Sequence, residues 1–370
     1  MSFKEVLSDY DWDDIGMRIR SCKPAQVEKA LSASTPTLDD MVALLSPAAE
    51  PFLPLMARRA EEITRCRFGH TIQFFAPLYL SNLCANECTY CGFTMSNAMK
   101  RKTLSEQDVL AEVRVLKEMG LDSVLVVTGE HERKVGIDYF KQMLPVIKTH
   151  FSYVALEVQP LSAADYQTVR ALGVDAVLVY QETYHRREYA RYHRRGNKQD
   201  FDWRLATPER LGDSGIDKIG VGALLGLSDW RVDSFYTALH IDYLQKQYWR
   251  SRYSLSFPRL RPCAGQPTHP GEISNRQLLQ LICAHRLLNP GIEISLSTRE
   301  SAALRDRILP FGVTSMSAAS STEPGGYSNP DSALEQFSTD DKRSVTEVAN
   351  AVRAGGLEPV WTDWCQAYSG

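Results

Sequence analysis

The chain has 370 residues, which is enough for one large barrel or two ordinary domains. Its hydrophobic fraction of 44% and charged fraction of 24% are typical of a globular protein, and a net charge of −3 gives no reason to expect nucleic acid or an anionic membrane as a partner. The N-terminus lacks the pattern of a signal peptide, and no apolar run approaches the roughly 18 residues of a membrane span. We therefore expect a cytoplasmic protein.

Residues 1–72 are expected to form an N-terminal helical extension. Within it, "TLDDMVALLS" and "FLPLMARRAEEITRCRFG" carry apolar residues at the spacing of one helical face. Near residue 74 the pattern changes to short apolar runs that alternate with amphipathic stretches. The runs are "FFAPLYL", "DSVLVVTGE", "YVALEVQ", "VDAVLVYQE", "DKIGVGALLG", "YSLSFPRL", "GIEISLSTRE" and "GVTSMSAAS".

The first amphipathic stretch, "TLSEQDVLAEVRVLKEMG", shows how the intervening segments read as helices. Its apolar residues between Val109 and Leu116 form one stripe, Ser105 suits the N-cap, and Gly120 suits the C-terminal stop. Similar helical patterns separate the later runs.

Eight strands with intervening helices predict an α/β fold, a parallel (β/α)8 TIM-type barrel over residues 73–324. A doubly wound open sheet is the alternative. Residues 325–370 are expected to form a short C-terminal segment that packs on the barrel.

A barrel places its active site at the C-terminal ends of the strands. Several predicted strands end in polar residues, which we therefore expect at one mouth. They are Thr128, Gly129 and Glu130 after the second strand, Glu157 and Gln159 at the third, Gln181 and Glu182 at the fourth, Arg259 and Arg261 at the sixth, Ser297 to Glu300 at the seventh, and Ser320 and Ser321 at the eighth.

The segment "CANECTYCGF" places Cys84, Cys88 and Cys91 within eight positions after the first strand. A structural zinc site needs four ligands, and neither His70 nor His131 completes a usual zinc spacing. Three thiolates would leave one iron of a [4Fe–4S] cluster open to chelation by a small molecule. An iron–sulfur cluster is the favoured interpretation, and zinc is the alternative. The other cysteines stand singly and are expected to be small buried hydrophobic residues: Cys22, Cys66, Cys263, Cys283 and Cys365.

The Cys-x3-Cys-x2-Cys spacing, with Tyr90 before the last cysteine, resembles the radical S-adenosylmethionine (SAM) superfamily. The resemblance implies that the cluster donates one electron to SAM and that cleavage yields methionine and a 5′-deoxyadenosyl radical. It also implies a set of cofactor-binding residues around the mouth. They are Tyr90 beside the cluster, Thr128, Gly129 and Glu130 for the methionine amino group, Glu157 and Gln159 for the ribose or amino group, Gln181 at the mouth, and Gly222 in "GVGALLG" beside the adenosine. The alternative for "VTGE" is a simple turn in which Gly129 supplies backbone freedom.

Longer motifs narrow the resemblance to the aromatic amino acid lyase branch, in particular the tyrosine lyases of thiazole (thiamine) biosynthesis. They include "LVYQETYH", "SFPRLRP" and "LSTRESAALRDRI", and the likeness covers about residues 70–365. It implies that L-tyrosine is cleaved between Cα and Cβ to 2-iminoacetate (dehydroglycine) and p-cresol. A lyase acting on tryptophan and a non-catalytic iron–sulfur scaffold subunit are the alternatives.

The substrate carboxylate suits an arginine fork, and Arg299 in "STRE" is the expected clamp. Its alternative role is a salt bridge to Glu300. Ser320, Ser321 and Tyr327 are further substrate-binding candidates.

The resemblance also implies thiazole synthase as a protein partner and a flavodoxin-type or other low-potential electron donor. The segment 184–196, "YHRREYARYHRRG", is basic and aromatic, and we expect a charged helix or loop over the barrel mouth there rather than an RNA-binding element. Only Cys365 follows Cys283, so the C-terminal cluster of the hydrogenase-maturation relatives is not expected, and Cys263 and Cys283 in the later barrel do not supply the second cluster of biotin synthase.

Overall fold

The computed structural model describes residues 1–263 and 273–362. Within them, eight parallel strands form a sheet that closes on itself, because the last strand pairs with the first through Gln73–Phe75 and Ser315–Ser317. In sheet order they are β1 (Thr71–Ser81), β3 (Ser123–Thr128), β4 (Tyr153–Glu157), β5 (Ala176–Leu178), β7 (Lys218–Gly222), β8 (Arg252–Ser256), β9 (Glu293–Leu296) and β10 (Ser315–Ser317). The closure confirms the predicted barrel and excludes the open sheet. Cys365, predicted from the sequence to be buried, lies outside the described residues.

Helices surround the barrel because each strand is followed by an amphipathic segment that covers it. They are α6 (Glu106–Glu118), α7 (Ile137–Lys148), α8 (Ala163–Ala171), α9 (Arg186–Tyr192), α10 (Phe201–Leu205), α11 (Thr207–Asp213), α12 (Trp230–Gln247), α13 (Asn275–Leu288) and α14 (Ala302–Ile308). In α6 the predicted boundaries are confirmed: Ser105 and Asp108 form a capping box, and Gly120 has a φ of 83°. Val109, Val113 and Leu116 of the predicted stripe are buried, and Leu110 is partly buried.

The N-terminal segment folds into helices that pack on the outside of the barrel. They are α1 (Phe3–Ser8), α2 (Trp12–Ser21), α3 (Pro24–Ser32), α4 (Leu38–Leu44) and α5 (Leu53–Phe68), with a 3-10 turn at Pro47–Phe52 between the last two. Phe3 stacks on His240 of α12 with ring centroids 3.7 Å apart. Strand β1 begins at Thr71, two residues before the expected start of the barrel. The division into 1–72, 73–324 and 325–370 stays a prediction.

The chain ends, as far as it is described, below the barrel. Helix α15 (Val345–Ala354) leads into β11 (Glu358–Val360), which pairs in parallel with Thr71–Gln73 of β1. The hydroxyl of Ser123 donates to the carbonyl of Trp361 at 3.1 Å, so this short strand continues the line of β3. Strand β11 is not among the strands predicted from the sequence.

Two further short strands lie at the opposite end of the barrel. Strand β2 (Glu87–Cys88) pairs in antiparallel fashion with β6 (His193–Arg195). The basic segment 184–196 therefore consists of α9 followed by β6, and β6 is joined to the cysteine loop. A helix long and apolar enough to cross a membrane is not found among the described residues.

Residues after the barrel are anchored by a buried ion pair. Arg305 of α14 contacts Asp341, and both side chains have no exposed surface. The same carboxylate accepts hydrogen bonds from Arg343 at 2.9 and 2.7 Å, and the backbone of Asp341 donates to Thr298 at 3.2 Å. These contacts hold the chain of residues 334–341, which we call the tail strap, against the barrel mouth.

We predict that Asp341→Ala strongly destabilises the protein. The change leaves Arg305 buried without its partner, which costs about 3–5 kcal/mol of unfolding free energy. The measurement is the urea midpoint followed by circular dichroism. Asp39→Ala is the matched control, because Asp39 pairs with Arg18 at 2.8 Å on the surface with 87% of its side chain exposed, and its loss should change the midpoint little. Equal midpoints for both variants would contradict the anchoring role.

Candidate active site

The barrel mouth contains a cavity of about 210 Å³. Most of the residues that the sequence singled out line it. They are Cys84, Cys88, Tyr90, Cys91, Thr128, Gly129, Glu130, Glu157, Glu182, Arg261, Ser297, Thr298, Arg299 and Ser320. Because they come from segments up to 236 positions apart, only the convergence of parallel strands at one end of the barrel brings them together.

The cysteine loop follows β1 and is held by the end of β3. The amide of Ala85 donates to the carbonyl of Glu130 at 2.8 Å, and that of Gly129 donates to Ser81 at 2.8 Å. A Cβ at Gly129 would lie 2.4 Å from the carbonyl oxygen of Leu83. Glycine is therefore required here for the close approach of two backbones, which the turn interpretation did not foresee.

The rest of the loop is ordered by its own contacts and by β6. The amide of Cys88 donates to the hydroxyl of Thr94 at 2.9 Å, and Cys91 donates its amide to the carbonyl of Cys88 at 3.4 Å. Tyr90 places its hydroxyl 2.7 Å from Nε2 of His193. The basic segment thus packs against the cysteine loop through the pairing of β2 with β6, and Tyr90 of the loop contacts His193 of β6.

Burial affects the protonation of two loop thiols, Cys84 and Cys88. It raises the pKa of Cys84 to about 11 and that of Cys88 well above its ordinary value. Thiolates at these positions therefore need a cation such as iron to replace the protons. The described residues contain no group of three His, Cys, Asp or Glu side chains arranged to hold one metal ion.

A buried charged network forms one wall of the cavity. Glu130 accepts from Arg204 at 3.1 Å and from the amide of Asn86 at 2.8 Å. Glu182 accepts from Lys198 at 2.7 Å and contacts Arg204 at 3.4 Å. Burial alone would raise the pKa of Glu182, but Lys198 and Arg204 lower it below its ordinary value. Glu182 therefore stays ionised, and the ion pairs keep Glu130 and Glu182 at defined positions.

Two members of that network were missed by the sequence analysis. Lys198 and Arg204 come from the segment after the basic stretch, where a single buried cation has no sequence signature. Glu182 has a φ of 70°, which turns the chain at the end of β5 and puts Glu182 rather than Gln181 into the cavity.

Arg299 reaches the cavity from the end of β9. Its guanidinium lies 3.5 Å from the ring centroid of Phe337 in the tail strap and donates to the carbonyl of Arg259 at 3.4 Å. The alternative of a salt bridge to Glu300 is wrong, because Glu300 pairs with Arg259, whose Nε lies 2.9 Å from it. Among the described residues Arg299 makes no ion pair, so its charge is available to a ligand.

Unpaired polar groups also face the cavity. The hydroxyls of Thr128 and Ser320 are buried and have no hydrogen-bond partner among the described residues. Burial raises the pKa of Glu157 to about 7, although Arg299 opposes the rise. Buried polar atoms are rarely left unpaired, so this part of the cavity is suited to a polar ligand.

Several predicted residues do not line this cavity, namely Gln159, Gln181, Gly222, Arg259, Glu300, Ser321 and Tyr327. Gln159 binds the backbone of the loop after β3, accepting from His131 and donating to Val135, both at 3.0 Å. Gln181 is buried beside β7, and its backbone N–H donates to the carbonyl of Gly222 at 3.1 Å. Gly222 is needed because a Cβ there would lie 2.0 Å from the carbonyl oxygen of Ser256. Their positions follow from packing between neighbouring segments rather than from alternation along one strand.

Tyr327 braces the tail against β1. Its hydroxyl donates to the carbonyl of Pro77 at 2.9 Å and accepts from the amide of Ser321 at 3.2 Å. Ser321 likewise does not line the cavity. Tyr327 and Ser321 therefore pack behind the residues that line the cavity.

The single cysteines also differ from expectation. Cys283 is buried as predicted, but Cys66 is exposed, and Cys22 and Cys263 are only partly buried. The sulfur of Cys263 donates to the carbonyl of Tyr90 at 3.3 Å, so it packs against the cysteine loop.

The comparisons with known proteins agree with this geometry. Two family models match: the Radical SAM superfamily over residues 78–239, and the Biotin and Thiamin Synthesis associated domain over residues 256–358. The chain is 56% identical to 2-iminoacetate synthase of Escherichia coli (strain K12) over 98% of this chain and 97% of that protein. It is 54% identical to 2-iminoacetate synthase of Salmonella typhimurium (strain LT2), with the same coverage. A crystal structure of HydG, a maturase of the [FeFe]-hydrogenase, has a TM-score of 0.88 and 30% identity over 99% of this chain and 80% of that chain.

The closed barrel with three cysteines after its first strand is the architecture of the radical SAM enzymes. Because the similarity to the two bacterial enzymes extends over almost the full length of each, the chain belongs to the 2-iminoacetate synthase family.

The cavity fits the groups that this superfamily implies, a [4Fe–4S] cluster and SAM. Three cysteines on one loop supply a soft donor set with one ligand fewer than a closed cubane needs. The unpaired hydroxyls of Thr128 and Ser320 and the free charge of Arg299 suit polar ligands beside it.

We predict that Cys84→Ala, Cys88→Ala and Cys91→Ala each abolish SAM cleavage and lower the iron bound after anaerobic reconstitution. Each removes one of three thiolates, and a cubane held by two is not expected to persist. The measurements are iron content and 5′-deoxyadenosine formation. Cys66→Ala is the control, because Cys66 is exposed, and it should behave as wild type. Normal turnover in any loop variant would remove that cysteine from the ligand set.

Proposed function

We propose that this chain is a radical SAM lyase that cleaves the Cα–Cβ bond of L-tyrosine to 2-iminoacetate and p-cresol, with SAM giving 5′-deoxyadenosine and methionine. The observation that carries the proposal is the combination, in one cavity of a chain from the 2-iminoacetate synthase family, of a three-cysteine loop and an arginine that makes no ion pair with the described residues. The product would supply the thiazole part of thiamine.

Each group in the cavity has a proposed part. Cys84, Cys88 and Cys91 would hold a [4Fe–4S] cluster, which together with SAM supplies a 5′-deoxyadenosyl radical. Glu130, held by Arg204 and Asn86, has a fixed position from which to accept hydrogen bonds from the methionine amino group.

The hydroxyls of Thr128 and Ser320 and the carboxyl of Glu157 are proposed to bind the remaining polar atoms of SAM and substrate. Their burial supports this, because a buried polar atom without a partner costs about 1–3 kcal/mol. Gln159, Gln181, Gly222 and Tyr327 are assigned to packing of the surrounding wall.

Arg299 is proposed to bind the tyrosine carboxylate. Phe337 and the carbonyl of Arg259 hold its guanidinium, so the fork is already oriented before a substrate arrives. Rigid placement matters because hydrogen is to be removed from the amino group of the same molecule, and a small displacement would separate the reacting atoms.

The released fragments define the partners. The hydroxybenzyl fragment must take up one electron and one proton to become p-cresol, and SAM cleavage itself consumes an electron, so a flavodoxin-type or other low-potential donor is required. Dehydroglycine is an imine that water hydrolyses to glyoxylate and ammonia. Association with thiazole synthase is therefore proposed, because proximity shortens the exposure of the imine.

We predict that Arg299→Ala lowers tyrosine cleavage by about 30- to 1000-fold. The change removes a charge-assisted bidentate contact worth roughly 2–4 kcal/mol. The measurement is p-cresol formation under anaerobic conditions with SAM and a reductant.

SAM binding should survive in this variant, and Arg299→Lys should retain more activity because it keeps the charge. Arg58→Ala removes an exposed arginine on α5 and should leave p-cresol formation unchanged. Normal turnover by Arg299→Ala would show that another group binds the carboxylate.

We predict that turnover without thiazole synthase yields p-cresol and glyoxylate in comparable amounts and releases no carbon monoxide. Outside the loop, the described cysteines lie on separate elements, with Cys22 after α2, Cys66 in α5, Cys263 against the cysteine loop and Cys283 buried in α13, so they form no second set of cluster ligands. The measurements are product analysis, haemoglobin trapping of carbon monoxide and iron content. Tryptophan in place of tyrosine should give no cleavage products. Stoichiometric carbon monoxide, or close to eight irons per chain, would contradict the proposal.

A further inference from the structure

The tail strap touches the cysteine loop at Gln336. The backbone N–H of Gln336 donates to the backbone carbonyl of Thr322 at 3.0 Å, and the hydroxyl of Thr322 donates to the backbone carbonyl of Phe337 at 2.7 Å. The carbonyl oxygen of Gln336 lies so close to Gly92 that a Cβ there would approach it to 2.2 Å. The backbone at this point is therefore held between the strand-β10 loop and the cysteine loop.

The side chain of Gln336 joins a tyrosine to a loop cysteine. Its Oε1 accepts from the hydroxyl of Tyr79 at 2.7 Å, and its Nε2 donates to the sulfur of Cys91 at 3.5 Å. Burial raises the pKa of Tyr79 well above its ordinary value, so its hydroxyl remains a donor. A thiolate only accepts hydrogen bonds, so this pair of neighbours permits one orientation of the amide.

We propose that Gln336 raises the reduction potential of the cluster by donating a hydrogen bond to the sulfur of Cys91, and that Tyr79 positions the amide for this task. The inference rests on the proposed function, because Cys91 must be a cluster ligand. Reduction adds negative charge to the cluster and its sulfurs, so a donor stabilises the reduced form more than the oxidised form.

The hydrogen bond from Gln336 to Cys91 differs in kind from the hydrogen bonds that Cys84 accepts. Hydrogen bonds from the backbone of Asn86 and Glu130 act on Cys84, where they oppose the effect of burial on its pKa. A backbone donor can be removed only by proline, which also fixes φ and would disturb the loop. At Cys91 the donor is a side chain supplied from 245 positions away, so the strap carries a separable influence on the loop.

The test is a redox titration, followed by electron paramagnetic resonance, of the full chain reconstituted anaerobically. Gln336→Leu keeps the size of the side chain and removes the donor. We expect it to bind as much iron as wild type and to have a lower midpoint, with a ratio of reduced to oxidised cluster about tenfold smaller at a given potential, which corresponds to about 59 mV for one electron.

Tyr79→Phe should shift the midpoint in the same direction. The double variant should shift it no further than Gln336→Leu alone, because Tyr79 acts through Gln336. The control is Gln280→Leu, which removes a buried glutamine that donates to Leu44 and Ser46 at 2.9 Å on the outside of the barrel. Its midpoint should equal that of the wild type.

The outcomes separate this inference from the proposed function. A wild-type chain that binds no iron would overturn the proposed function. Four irons in Gln336→Leu with an unchanged midpoint would overturn the inference alone. If Gln336→Leu fails to assemble a cluster, Tyr79→Phe decides: a lower midpoint supports the inference, and an unchanged one overturns it.

Discussion

The contact between the cysteine loop and the end of β3 is the constraint on which the site depends. Gly129 lets the two backbones meet, and the amides of Ala85 and Gly129 hydrogen-bond across the junction. The same junction places the side chain of Glu130 where Asn86 of the loop and Arg204 can bind it. One missing Cβ thus determines both the path of the loop and the position of the carboxylate beside it.

The charged wall next to this junction explains how a deep cavity keeps its polar groups. Burying carboxylates is costly unless cations accompany them. Lys198 and Arg204 meet Glu182 and Glu130, and Lys198 also lies 5.8 Å from the ring of Tyr90. Because the charges neutralise each other within the wall, Arg299 makes no ion pair with it, and its contacts in the described part of the chain are the ring of Phe337 and the carbonyl of Arg259.

The segment after the barrel contributes to the site from two ends. Above the mouth, the tail strap brings Phe337 against Arg299 and Gln336 against Cys91. Below the barrel, β11 extends the pairing of β1. The buried contact of Arg305 with Asp341 connects the strap to α14, so the position of Arg299 is tied to the packing of a segment far from it in sequence.

The sequence by itself determined the eight strands, the helix boundaries such as Ser105 and Gly120, and the three cysteines, because each of these signals is local. Periodicity, caps and ligand spacing all act over a few residues. It also placed the strand ends at one mouth, since parallel closure leaves no other arrangement. Only the tertiary structure decided that Glu182 faces the cavity instead of Gln181 and that Gln336 reaches Cys91. Those outcomes depend on a positive φ and on contacts between segments as much as 245 residues apart, and neither leaves a pattern in a short stretch of sequence.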